Sequence, residues 1–460
     1  MERGLQGEQR KKQTTITHLN RYLPMNRIFY LSILCMSMLL ASCGKEEYSQ
    51  DSDTSYTFTY PSDNSKGYVM ILQQHTKGNG FPVVIMADGY LQSDIAQGTY
   101  HTSVNKAIEA LFASEPMKSL KAYFDIYEVQ AASSVSGITT AARNTAFSTY
   151  FTSSTGVEID GDKKKIQNYA WYALKKNDNK LKNVLIIMLV NSDRYGGVTF
   201  LSTDNAVTDS IPVGFSLAFV PTGCKSKGVS YFTETLQHEA VGHGIGKLAD
   251  EYIQEFETPS QDEINDYKKL QRYGMYLNTK YDPSTENNDI EGWTTVTSTG
   301  NHYLICSHQM QPGDIGYVFA NDPGYQGENL KWIQGGYTYL TFSTTLYSGS
   351  ESRFNGYYMT EKNFYRPSWH SLMNSVITEE GKTFNALSRY LIYARIMKVA
   401  NGSPGNIHNP ELQQRFMEFD TMRGTYVAAK GTTRAAVDIR EFDTGQTLPP
   451  LAPPHIINVK

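Results

Sequence analysis

The sequence predicts an α/β domain with a mostly parallel central sheet flanked by helices, plus a loop-rich insertion and antiparallel ribbons after one central helix. Three observations predict it. Two apolar runs, 81–87 and 184–190, are too short for ordinary helices and too apolar for strands with a wet face, so they fit central parallel strands. Stretches with helical spacing lie between such runs, giving the strand, helix, strand order of a parallel sheet. From about 282 to 356 the chain becomes dense in Gly, Thr, Ser, Tyr and Asn, with alternating pieces such as 337–342, which suits loops and ribbons.

The elements follow in order. Arg27 precedes an apolar run from Ile28 that closes with Leu40-Ala41-Ser42-Cys43. The run is short for a membrane span and has the basic, apolar, small-residue order of a secretory signal. Its end resembles a bacterial lipobox, so residues 1–42 are read as a signal segment with Met25 as its start, and Cys43 as the lipidated first mature residue. Acyl chains partition at about 0.8 kcal/mol per buried CH₂, enough for several together to anchor the chain. This implies a lipoprotein of the outer membrane of a bacterial envelope. Gly44-Lys45-Glu46-Glu47 resembles the Lys-acidic signal that sends some lipoproteins to the outer face. Residues 43–66, rich in Ser, Asp, Thr and Tyr, read as a flexible tether.

One domain is expected over 67–440. The 81–87 strand ends in Asp88-Gly89, and Val104, Ala107, Ile108 and Leu111 give helical spacing within 96–120. Residues 124–129 alternate as a second strand, 166–176 read as a helix, and 384–397 return to helical spacing through Leu387, Tyr390, Leu391 and Ala394. The Pro-rich residues 448–454 can be neither helix nor central strand. The tail 441–460 is therefore expected to lie extended over the surface.

Charge narrows the function. Forty-two Lys and Arg face 46 Asp and Glu, a formal −4; without the six basic and two acidic side chains of 1–42, 36 face 44, or −8. No basic tract is available to neutralise phosphates, which excludes a nucleic-acid partner. Once Cys35 leaves with the signal and Cys43 carries lipid, Cys224 and Cys306 remain, bridged or as two buried thiols.

Chemistry concentrates in one segment, Thr233-Glu-Thr-Leu-Gln-His238-Glu239-Ala-Val-Gly242-His243-Gly-Ile-Gly246-Lys-Leu-Ala-Asp250-Glu251-Tyr252. Two imidazoles able to share one ion, with a carboxylate beside the first, are what a catalytic zinc site needs. Two His hold the ion and Glu239 acts as base. In a straight α-helix, however, residues five apart stand about 140° apart around the axis. His238 and His243 can share an ion only if the helix absorbs one extra residue as a π-type bulge, for which Gly242 supplies backbone freedom. After a break at Gly244 or Gly246, Asp250 is the expected third ligand. Glu251 and His370 are the alternatives; if Asp250 binds, Glu251 is free to orient a histidine.

This segment resembles the IgA-specific zinc metalloendopeptidases, whose hallmark is a His-Glu...Gly-His...Leu-Ala-Asp-Glu-Tyr block. Other pieces resemble the family in order: Ala87-Asp88-Gly89-Tyr90, Glu115-Pro116, Ser136-Gly137, Asn144-Thr145-Ala146-Phe147, Asn191 through Tyr195-Gly196-Gly197, Tyr365-Arg366-Pro367-Ser368 and Ser371-Leu372-Met373. Together they span roughly residues 80–400. The resemblance implies a zincin-type α/β domain with proteolytic activity. The extra residue between the two His departs from the founding immunoglobulin protease. Ser371-Leu372-Met373 is similar to the Met-turn of metzincins, which would make Met373 an apolar floor beneath the ligands, with Tyr252 or Tyr365 as oxyanion donor. His302 and His308, in the insertion, are expected to be solvated.

The expected function is therefore a lipid-anchored, monomeric zinc metalloendopeptidase using one Zn²⁺, acting on a protein or glycoprotein, and touching a membrane only through Cys43. One rival is a non-catalytic envelope lipoprotein that binds host glycan or protein through Tyr-rich loops. The other is a dipeptidyl-peptidase III-like exopeptidase, whose motif shares the five-residue spacing. That family draws its third ligand from a later Glu-Glu-x-x-x-Glu helix, and neither Glu46-Glu47 nor Glu379-Glu380 has the further Glu.

Overall fold

A computed structural model describes residues 68–202, 211, 214–252, 260–283, 294–298, 301–305, 307–334, 363–368, 371–374, 382–403, 405–425 and 451–457. The expectations for the signal segment, Cys43, the tether, the 337–342 ribbon, Cys306 and His370 lie outside these residues, as does the side chain of His302.

The central sheet holds β1 (Tyr68–Gln73), β2 (Phe81–Asp88), β3 (Phe124–Gln130), β4 (Leu185–Val190), β5 (Val198–Ser202), β6 (Ser216–Pro221) and β7 (His455–Ile457). Their order is β1-β3-β2-β4-β6-β5-β7. The inner strands β3, β2, β4 and β6 run parallel, with Val83 opposite both Ile126 and Leu185, and Leu185 opposite Ser216. β1 lies antiparallel to β3, and β5 antiparallel to β6.

The apolar runs are central strands because both faces are covered. Val83, Ile85, Leu185, Ile187 and Leu189 enter one core, with α1 (Thr99–Leu111), a helical segment at 232–245 and α4 (Ala386–Asn401). Val84, Met86, Ile186, Met188 and Val190 enter the other, against Ile166, Tyr169, Ala170 and Ala173 of α2 (Lys163–Ala173). Each such aliphatic side chain contributes about 1.5–3 kcal/mol relative to exposure, which outweighs the strands' lack of polar alternation.

Helix boundaries follow their caps. The Asp162 side chain accepts from Lys165 N, so α2 starts ahead of the expected 166, and Asn385 does the same for Ser388 N at the head of α4. In the insertion and on its flanks, the strands Ser307–His308, Trp332–Gln334, Phe364–Arg366 and Lys280–Tyr281 form an antiparallel ribbon sheet, and Thr294–Ser298 pairs with Asn301–Ile305.

The tail departs from its expected place on the surface. Residues 451–454 are buried, and β7 joins the sheet beside β5, pairing parallel with His455 opposite Phe200. Proline has no N–H to give to a ladder, so pairing begins only after Pro454. Cys224 is a buried free thiol whose pKa burial pushes up to about 11, an inert group.

Candidate metal centre

The short helix α3 (Phe232–Leu236) runs directly into a π-helix, Gln237–Ile245. The distortion that the five-residue spacing demands is present, and as a nine-residue run rather than a single bulge. Its widened turn sets residues five apart on one face, and the Gly246 N–H closes it on Val241 O at 2.8 Å. Gly242 has a different role from the one expected. Its φ is not left-handed; instead a Cβ there would collide with Met373 Sδ. The chain then turns through Lys247 at φ 53° and returns Asp250 to the histidines.

His238 Nε2 stands 3.0 Å from Asp250 Oδ1, His243 Nε2 3.2 Å from the same oxygen, and the two Nε2 atoms 3.1 Å apart. The rings are nearly perpendicular, at 88°. Atoms bound at about 2.0–2.1 Å around one tetrahedral ion stand about 3.3 Å from each other, so this triangle is close to the size one zinc requires.

Protons sharpen the point. His238 Nδ1 lies 2.9 Å from Leu372 O, and His243 Nδ1 2.8 Å from Leu248 O. A carbonyl oxygen only accepts, so each Nδ1 carries the proton and each Nε2 presents a lone pair. Asp250, deprotonated as a metal-binding carboxylate must be, adds an oxygen acceptor to the two nitrogens. Three buried acceptors therefore converge, and Asp250 Oδ1 has no donor among the described residues. Lone pairs meeting without a proton between them are unfavourable unless a cation sits among them. His238, His243 and Asp250 are also the group of His, Cys and acidic residues, among those described, able to hold a metal ion.

Glu239 is fully buried beside this triangle. Burial pushes its pKa up to about 8, against the lowering effects of His238 and Thr199. The Thr199 hydroxyl, on β5, lies 2.7 Å from Oε2 and 2.9 Å from the Glu239 carbonyl. Oε1 has no partner among the described residues and occupies the space beside Gly197, where a Cβ would come within 2.9 Å of it.

Other expected residues fall in different places. Glu251 neither joins the triangle nor orients a histidine: its carboxylate accepts from Asn278 Nδ2 at 2.9 Å and from Asn385 Nδ2 at 3.3 Å, and backbone carbonyls fix both rings instead. Met373 is fully buried against Gly242, and its carbonyl accepts from Glu251 N, so this turn packs between the π-helix and the residue that follows Asp250. Arg366 Nη1 clasps Glu251 O and Asn374 Oδ1, tying the Asp250 turn to the Met373 turn. The Tyr252 ring stacks 6.3 Å from His238, and its hydroxyl donates to Leu451 O. Tyr365 sits on the ribbon sheet, edge-on to a half-buried His308 at 5.3 Å.

Sequence reasoning missed Thr199, Gly197 and the Leu372 carbonyl. A lone hydroxyl in an apolar strand after paired glycines was a signal for Thr199, although nothing in its spacing ties it to Glu239. A main-chain carbonyl carries no residue signal at all.

With the geometry described, residues 69–267 match the model of a family described as IgA Peptidase M64. The match covers strands β2 to β6, the π-helix and Asp250, and stops before Tyr365, Met373 and β7. No curated protein matches the chain.

Proposed function

We propose, taking the IgA-peptidase-like metalloprotease family as the premise, that this chain is a zinc metalloendopeptidase. The observation that carries the reading is the convergence of two imidazole lone pairs and one carboxylate oxygen, buried, within 3.0–3.2 Å of one another and with no donor among them. Two nitrogens and one oxygen suit zinc, and a catalytic site keeps three protein ligands. His238, His243 and Asp250 would hold the ion.

A bound zinc ion supplies Lewis acidity, acidifying water and polarising a peptide carbonyl. The chain's own groups do the rest. Thr199 fixes Oε2 of Glu239, which leaves Oε1 as the atom that takes a proton from the attacking water and returns it to the leaving amine. Leu372 O and Leu248 O keep both imidazoles in the tautomer whose Nε2 faces the ion. Tyr252, stacked on His238, is the phenol placed to donate to the developing oxyanion once it leaves Leu451 O. Asp250 already closes the triangle, so the later Glu ligand of a dipeptidyl-peptidase III-like enzyme has no place to fill.

The reading extends to a protein or glycoprotein substrate and to a monomer held at the outer membrane by lipid on Cys43. Among the described residues no helix is long and apolar enough to cross a membrane. The decisive experiment pairs elemental analysis with Glu239→Gln. The parent chain should carry one zinc and cleave a peptide panel; the variant should keep the zinc and lose cleavage. Parent-rate cleavage by the variant would remove Glu239 as base, and a chain without stoichiometric metal would favour the non-catalytic binder. Fatty-acid labelling lost in Cys43→Ala tests the anchor.

A further inference from the structure

We infer that the C-terminal segment 451–457 is a built-in competitor for the strip of backbone on which an extended peptide substrate lies, the outer edge of β5. The inference rests on the peptidase reading and adds an occupant to it.

β5 is the strand that touches the reacting group. Its second residue, Thr199, donates to Glu239, and Gly197, just before it, borders Glu239 Oε1. One edge of β5 is already used by β6, with Val198 opposite Phe219 and Leu201 opposite Ser216. A peptide backbone that is to reach Glu239 along this strand therefore has the other edge, where a strand offers N–H and C=O groups for an added partner. The chain's own β7 is seated there: His455 opposite Phe200, Ile456 opposite Leu201 and Ile457 opposite Ser202. Continuing that parallel register backwards carries Pro454 and Pro453 alongside Thr199 and Val198. Further back, Leu451 O takes the Tyr252 hydroxyl at 2.6 Å, the same phenol that stacks on His238. The tail thus spans from the sheet edge to the ring lying over a metal ligand.

Leu451 anchors the segment in the main core, and beyond it the hold on β5 is modest. The His455 ring stacks on Phe200 at 5.0 Å, with Nε2 3.0 Å from Glu158 Oε1, while Ile456 shares an apolar cluster with Leu201 and Ala452 one with Phe200. Pro453 and Pro454 give β5 no N–H, so the stretch nearest Glu239 has no donors with which to pin its own carbonyls as a substrate would. A three-residue ladder with a proline gap is a seat that an incoming strand can displace.

The test uses the full-length chain. Ile456→Asp, and separately His455→Ala, should unseat the tail; near-UV circular dichroism and zinc content establish that each variant is folded. A tethered segment at an effective concentration of about 1 mM with an intrinsic Kd of about 0.1 mM closes the strip about tenfold. Accordingly kcat/KM for a peptide should rise about tenfold in Ile456→Asp, through KM, and a synthetic peptide of residues 448–460 added in trans should inhibit competitively. Binding is read without catalysis as well: a fluorescein-labelled copy of that peptide should bind the double variant Glu239→Gln/Ile456→Asp and bind Glu239→Gln alone about tenfold more weakly. Equal binding to both, no binding to either, or unchanged KM in both tail variants overturns the inference. If no chain cleaves any peptide, the peptidase reading fails, yet the fluorescence anisotropy still decides whether the tail competes for this edge.

Discussion

Thr199→Val isolates what holds Glu239, the proposed base. Valine matches threonine in shape, so the substitution removes the hydroxyl and leaves no cavity at a buried position of β5. The hydroxyl has one hydrogen and two acceptors, both on Glu239, at 2.7 and 2.9 Å. It therefore makes one bond at a time, and the shorter one is to the carboxylate. A hydrogen bond to a charged group contributes about 1.5–3 kcal/mol, which corresponds to about a ten- to hundredfold change in rate. The bond also favours the ionised form, so its loss moves the Glu239 pKa further upward. The acid limb of the kcat/KM profile should shift to higher pH, kcat should fall, and KM should change little. Thr199→Ser should restore most of the rate, and zinc content should stay at parent level in both. The assay is kcat/KM on a fluorogenic peptide across pH, with metal measured on the same preparations. A metal-loaded Thr199→Val chain with the parent's rate and profile would refute the placement of Glu239 Oε2.

Three further expectations follow from the same coordinates. Gly242→Ala forces a Cβ into Met373 Sδ and should destabilise by about 1–3 kcal/mol in urea unfolding, with Gly242→Ala/Met373→Ala losing less than the sum of the two singles. Arg389→Ala strands Glu328 and Asp420, which Arg389 Nη2 holds at 2.6 and 2.9 Å; leaving two buried carboxylates unpaired should cost about 3–5 kcal/mol, read by thermal or urea unfolding. Burial raises the Asp125 pKa, but His75 and Lys180 outweigh it and hold it below the usual range. A group with a depressed folded pKa stabilises above its unfolded pKa, about 3.9, and loses that contribution as pH falls through the folded value. The stability gap between parent and Asp125→Asn should therefore be full near neutral pH and close in acid.

Much of this was legible because the signals were local. The runs at 81–87 and 184–190 announce buried strands through composition alone, and the spacing of His238 and His243 by itself dictates a distortion. What was not legible arises from long-range juxtaposition. Thr199 lies 40 residues from Glu239, Leu372 lies 134 from His238, and the link from Tyr252 to Leu451 spans 199. Glu251 was misjudged for a related reason: the place directly after the expected ligand Asp250 suggests an orienting carboxylate, but Asn278 and Asn385 arrive from other segments and claim it. The Pro-rich tail was misjudged because proline excludes a strand only where it stands, and the residues after it were free to pair.

The arrangement also explains why the extra residue between the histidines is tolerated. Lengthening the helix by one residue would rotate His243 away in an α-helix, and the π-turn removes that rotation at the cost of wider, poorer backbone packing. Met373 compensates from outside the helix. Its sulfur fills the groove that the absent Gly242 Cβ leaves, while the same turn gives Leu372 O to His238 and Met373 O to Glu251 N. Helix distortion, glycine and turn therefore form one mutually dependent unit. The fit depends on all three: an α-helical 237–245 would misdirect His243, a side chain at 242 would expel the sulfur, and loss of the turn would free the His238 ring to rotate.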